Sequence, residues 1–245
     1  MSSALPAAVR LAWWGTAWLR GHVVADDLID AVVDTDAIHL VGTAGASDPL
    51  LVGLGALRSR GAAAVGAALP AEGDPVGLGG PRPFNDAALE VGEAVVVLDA
   101  AGLPVTGLVP ERLGAAVTWQ PHAAARRQVP DVVEADRTLR TVLLEAAEDL
   151  ARLEIARWRP EVADVLMDLQ RRETLLAPVG VPARCVDLAA RGLQALEIVE
   201  LALEDDGGAI SVQEAQARRE ALVPLGRAGR RAVVAAASPE GWPPG

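Results

Sequence analysis

A chain of 245 residues with 51% apolar and 22% charged side chains is long enough to bury one large core or two smaller ones. All 22 of its basic residues are arginine and it has no tyrosine, which excludes P-loop phosphate binding, Schiff-base chemistry and any scheme that needs a Tyr hydroxyl. The net charge of −11 is spread over both halves, 13 acids against 8 Arg in residues 1–128 and 20 against 14 in residues 129–245, so neither half offers the cationic face that nucleic-acid binding needs.

Residues 6–20 read as a first helix, with Pro6 suited to the opening turn and Gly21 to a left-handed stop. Trp13, Trp14 and Trp18 recur in it near helical spacing, a pattern of docking onto a core rather than of a stacking platform, and Trp14 or Trp18 is expected to be mostly buried. A second helix is predicted over 25–34. The period then changes: residues 38–41 form a strand, Gly42-Thr-Ala-Gly45 a strand-to-helix turn, and the next helix starts with Asp48 as cap and Pro49 at its first position. Residues 62–69 return as a strand, which would make a right-handed βαβ unit.

Residues 72–85 are too rich in Gly and Pro for regular structure and form the longest predicted loop. A short helix at 86–92 leads into three strands, 93–98, 105–109 and 115–120, that read as an antiparallel meander. After Pro130 the strand pattern stops. Asp131 and Glu134 resemble a capping box, and apolar residues at steps of three and four predict a helix to the vicinity of Trp158, a second from Pro160 to 176, and a third over 186–203. A second capping box at Ser211 and Glu214 opens a final helical stretch that Pro224 should divide.

The expected class is therefore α+β, or α/β, with a mixed domain over 1–128, a helical domain over 129–238 and a flexible tail over 239–245. No uncharged run is long enough to span a membrane and the N-terminus makes a poor signal peptide, so the cytoplasm is the expected location. The lone Cys185 permits no intrachain disulfide and is expected to be a small buried apolar residue.

Few strings carry chemistry. Asp26-Asp27-Leu-Ile-Asp30 has a spacing similar to the aspartate-rich motif of polyprenyl synthases, but no second such motif follows and the N-terminal half is not all helical. These acids are read as complementing a helix dipole, with no metal and no cofactor. Gly53-Leu-Gly-Ala-Leu-Arg58 lacks the third glycine of a dinucleotide fingerprint and falls within a helix, where its glycines would serve close packing. The three histidines have no i, i+3 or i+4 pairing, and no serine-nucleophile elbow occurs.

Two functional expectations follow. The first is a non-catalytic protein whose helical region contacts a protein partner or a second copy of itself, with no nucleic acid and no membrane. The alternative is an enzyme or sensor for a small anionic metabolite, bound by Gly42 and Gly45 at a helix N-terminus together with Asp74, Arg82 and Asn85 of the long loop and His122.

Overall fold

The computed structural model describes residues 5–43, 45–152, 175–204 and 212–242. Helix α1 (Ala7–Leu19) is flanked by Pro6 and by Gly21, whose φ of 75° ends the turn as expected; α2 (Ala25–Val33) follows. Strand β1 (Ile38–Thr43) turns back on β2 (Ala46–Pro49), and α3 (Leu50–Ser59) leads to β3 (Ala62–Ala68). Helix α4 (Arg82–Val91) precedes β4 (Ala94–Asp99), β5 (Pro104–Leu113) and β6 (Ala116–His122). Three long helices complete the described chain, α5 (Val132–Arg152), α6 (Ala183–Glu204) and α7 (Val212–Ala236), before a short 3-10 turn at Pro239–Gly241.

The six strands form one mixed sheet in the order β2-β1-β6-β5-β4-β3, in which only β1 and β6 run parallel. An α+β class is thus observed, with the expected β4-β5-β6 meander. The βαβ unit is not: β1 lies beside β2 and β6, while β3 is on the opposite edge, antiparallel to β4. Gly42 and Gly45 belong to no strand-to-helix turn either, because β1 pairs with β2 before the helix begins, and Gly45 takes a φ of 88°. Asp48 sits in β2 and Pro49 becomes the residue that caps α3.

Strand β4 is apolar on both faces because both are covered. Val95 and Val97 join the larger core with α1, α2, α3 and the C-terminal helices, while Ala94, Val96 and Leu98 join a smaller one under Phe84 and Ala88 of α4. Gly53 lets α3 lie against β1, since a Cβ there would collide with that of Val41; Gly55 has no such neighbour. Helices α6 and α7 meet at Gly192 and Gly229, where a Cβ on either would come within 3.0 Å of the other's carbonyl oxygen.

The edge strand β3 exposes no free ladder in its middle. The Thr16 hydroxyl donates to the Val65 carbonyl (3.0 Å) and accepts from the Val65 N–H (2.9 Å), and the Ala67 N–H donates to the carbonyl of Ala237 (2.9 Å). Helix α1 and the end of α7 therefore close the sheet edge that would otherwise recruit another strand.

Asp131 caps α5 through its Oδ1, which accepts from the N–H groups of Val133 and Glu134, as its sequence setting predicts. Among the described residues of 135–200 there is no strand. The helix expected from Pro160 and the capping box at Ser211 lie outside the described residues. Pro224 does not divide the last stretch, which runs through it as α7. Residue 224 is on the exposed side of the helix, so its ring meets solvent rather than a packed neighbour. Among the described residues no helix is long and apolar enough to cross a membrane.

Candidate functional site

The six residues proposed for an anionic ligand do not gather in one place. Gly42 is in mid-strand, pressed against the side chain of Gln120, and Gly45 is at the exposed hairpin tip. Arg82 and Asn85 are not loop residues, because α4 already begins at Arg82; the Pro81-Arg-Pro83 run starts that helix rather than preventing one. Arg82 is exposed and pairs with Asp86 one turn on (3.3 Å), and Asn85 Oδ1 accepts from the Gly80 N–H, closing the end of the loop. His122 ends β6 with its ring 5.9 Å from Phe84. Only Asp74 enters a charged constellation.

Asp74 is fixed by a tight turn in which Ala71 and Asp74 exchange backbone hydrogen bonds. Its carboxylate is buried, yet three arginines of α7 reach it: Arg231 Nη2 at 2.9 Å from Oδ1, Arg230 Nη2 at 3.4 Å and Arg227 Nε at 3.9 Å from Oδ2. Positions 227, 230 and 231 are three and four apart, hence on one helix face. The spacing was readable in the sequence, but only the fold shows that an acid from a loop more than 150 positions upstream lies beneath it.

Beside this cluster Arg127 is almost wholly buried. It donates to the carbonyls of Ala67 and Gly77, to Ser238 Oγ and to Glu240, and burial lowers its pKa against the opposing pull of Glu240. Gly66 provides its space, since a Cβ there would collide with the guanidinium.

A second buried network centres on Asp36. Arg10 Nη2 (3.0 Å), Arg112 Nη1 (2.8 Å) and His39 Nε2 (2.8 Å) all meet its carboxylate, and Arg10 also reaches Asp34 and the Val32 carbonyl. Trp119 Nε1 donates to His39 Nδ1 at 3.1 Å. An indole N–H can only donate, so Nδ1 must accept and the proton sits on Nε2, directed at Asp36. Burial pushes the Asp36 carboxyl up, but the bonds from His39 and Arg112 prevail and hold it below the ordinary range. Burial pulls His39 below its ordinary value and outweighs the bond to Asp36. Glu93 nearby is raised by burial, although it accepts from the Ala8 N–H.

The sign of the pH effect follows. Unfolded His39 takes up its proton near pH 6.5 while the folded residue resists it, and Asp36 adds its loss of stability at lower pH. Urea midpoints are expected to fall from about pH 7.5 to about pH 5.5, with part of that slope removed in His39→Gln. Glu93, raised by burial, opposes this slope, so a His39→Gln variant whose pH profile matches that of the parent would contradict the assignment.

Cys185, in the first turn of α6, is completely buried, and burial pushes its thiol up to about 11 against the pull of Arg184. It should resist a disulfide reagent near neutral pH in the native state and react only after denaturation, read from the absorbance of the released thiolate. Asp26, Asp27 and Asp30 are exposed on α2, and among the described residues no cluster of His, Cys, Asp or Glu has a metal-binding arrangement.

An open groove of about 440 Å³ lies between the N-terminal halves of α5 and α6. Val132, Val133 and Leu188 supply its apolar surface, while Asp136, Arg140, Arg184, Asp187 and Arg191 supply its charges. Asp136 is occupied by both Arg140 and Arg191, but Arg184 and Asp187 are exposed to solvent.

A mixed sheet continued by long helices, with charged clusters around Asp36, between α7 and the loop that carries Asp74, and on the α5-α6 surface, defines an α+β protein of two successive sequence regions. The chain belongs to the Rv1486c-like protein family: the family's N-terminal domain matches residues 8–134 and its C-terminal domain residues 133–234. It is 27% identical to "Uncharacterized protein Rv1486c" of Mycobacterium tuberculosis (strain ATCC 25618 / H37Rv), over 96% of this chain and 98% of that protein. Identity and coverage are the same for "Uncharacterized protein MT1533" of Mycobacterium tuberculosis (strain CDC 1551 / Oshkosh). No solved structure matches the chain.

Proposed function

We propose that this is a non-catalytic interaction protein whose helical region, residues 129–238, contacts a second copy of the chain. The groove between α5 and α6 carries this reading. It combines an apolar surface, including the exposed Val133, with Arg184 and Asp187 of opposite charge one turn apart on one rim. In a two-fold contact the same patch faces itself, so Arg184 of one copy meets Asp187 of the other and both charges are matched. The lone cysteine and acidic composition make the cytoplasm the setting of the same proposal.

Light scattering during gel filtration tests it. The parent should elute with the mass of a dimer, Arg184→Glu should shift toward the monomer because two acids then face each other, and Arg184→Glu with Asp187→Arg should restore the dimer. A monomeric parent, or a dimer indifferent to all three forms, would refute it. Both positions are exposed, so neither change should disturb the fold.

A further inference from the structure

Three guanidinium groups meet a single carboxylate where the Gly/Pro-rich loop touches α7. The side chain of Asp74 is 1% exposed, whereas those of Arg227 and Arg231 are 49% and 48% exposed and that of Arg230 is 22% exposed. The acid thus lies underneath, held by its turn, and the arginines fan outward from it.

Charge and hydrogen-bonding capacity are both unbalanced. Three positive groups surround one negative one, which leaves a local surplus of two charges in a chain whose net charge is −11. Each guanidinium carries about five N–H donors and an ionised carboxylate offers only about four acceptor positions. One consequence is visible: Arg230 Nε is buried and has no hydrogen-bond partner. Native structures rarely leave such a donor unpaired.

We infer that Arg227, Arg230 and Arg231 form a binding site for the phosphoryl group of a small phosphate ester or of free phosphate. A phosphoryl dianion matches the surplus charge, and its three oxygens accept from planar guanidinium forks in a way that a lone carboxylate or chloride cannot. Asp74 is a positioning residue here. It draws the three side chains together before the ligand arrives, so that less rotamer entropy is lost on binding. The neighbouring Arg127 is not part of the site, because its bonds to Ala67, Gly77, Ser238 and Glu240 engage it fully in the fold. The site is separate from the α5-α6 groove and does not depend on self-association.

Titration calorimetry at low ionic strength, with inorganic phosphate in one arm and glycerol phosphate in the other, tests the inference; chloride at matched ionic strength is the blank. The parent should show saturable binding in at least one arm, and the tighter arm tells a free anion from an ester. Arg227→Gln with Arg231→Gln should weaken that binding roughly tenfold or more while the far-ultraviolet circular dichroism stays that of the parent. Arg82→Gln, at an exposed arginine on α4, should bind like the parent. If the double variant fails to fold, Arg231→Gln alone must show the loss. No saturable signal in either arm, or unchanged binding in the arginine variants, would overturn the assignment.

Discussion

Trp13→Ala is expected to lower stability by about 3 to 5 kcal/mol, the usual cost of truncating a fully buried large aromatic. Trp13 is 0% exposed in the core shared by α1, the sheet and the C-terminal helices, and its Nε1 donates to the Ala236 carbonyl at 3.1 Å. The carbonyl would keep a second donor, Trp242 Nε1 at 3.0 Å, so the loss comes mainly from the cavity. For a chain of this size each kcal/mol moves Tm by about 2–4 °C, which makes the expected fall on the order of 10 °C. Trp14 and Trp18 are mostly buried, as expected, but pack at the margin of that core and should cost less. A Trp13→Ala protein that melts with the parent would show that α1 does not anchor the end of α7.

Arg127→Ala should destabilise the protein by a similar amount, about 3 to 5 kcal/mol, because breaking a buried ion pair leaves its partners unmatched. The guanidinium is 2% exposed and joins three distant parts of the chain: the β3 edge through Ala67, the loop through Gly77, and the C-terminal turn through Ser238 and Glu240. Its loss leaves two carbonyls short of a donor beside the void above Gly66. Glu240→Gln keeps an acceptor but takes the counter-charge from a buried guanidinium, so it should destabilise as well, by less than Arg127→Ala because the bonds to Ala67, Gly77 and Ser238 remain. Equal urea midpoints for parent and Arg127→Ala would contradict the structural role assigned to this residue.

What the sequence disclosed was local. Proline and glycine at element ends, an Asp131 cap and apolar steps of three and four located α1, α2, α5 and α6, and three short apolar runs in succession located the meander. Trp13 was singled out with its neighbours, but helical spacing alone did not show which of the three indoles points inward. Strand β2 escaped because Ala46-Ser-Asp-Pro49 has no β-branched or aromatic residue; it pairs only because the hairpin turn delivers it beside β1. The parallel β1-β6 pairing joins segments almost eighty residues apart, and no pattern within either strand encodes it.

The charged clusters were hidden for the same reason. Arg10 sits in an otherwise apolar helix, a local sign of a buried partner, yet Asp36, Arg112 and His39 are identified as its network only by the fold. Asp74 was selected from the loop for a ligand, and its actual neighbours come from α7 at the other end of the chain. Arg127, Arg230 and Arg231 each find an acid within the molecule, from segments that no local pattern links to them.

The most direct measurement of the central claim, that the helical region joins two copies of this chain, is the mass of the purified protein in native and then in denaturing mass spectrometry. A native mass of two chains that falls to one chain on denaturation, with the native dimer lost in Arg184→Glu, is the expected result. A native mass of a single chain across the accessible concentration range would contradict it.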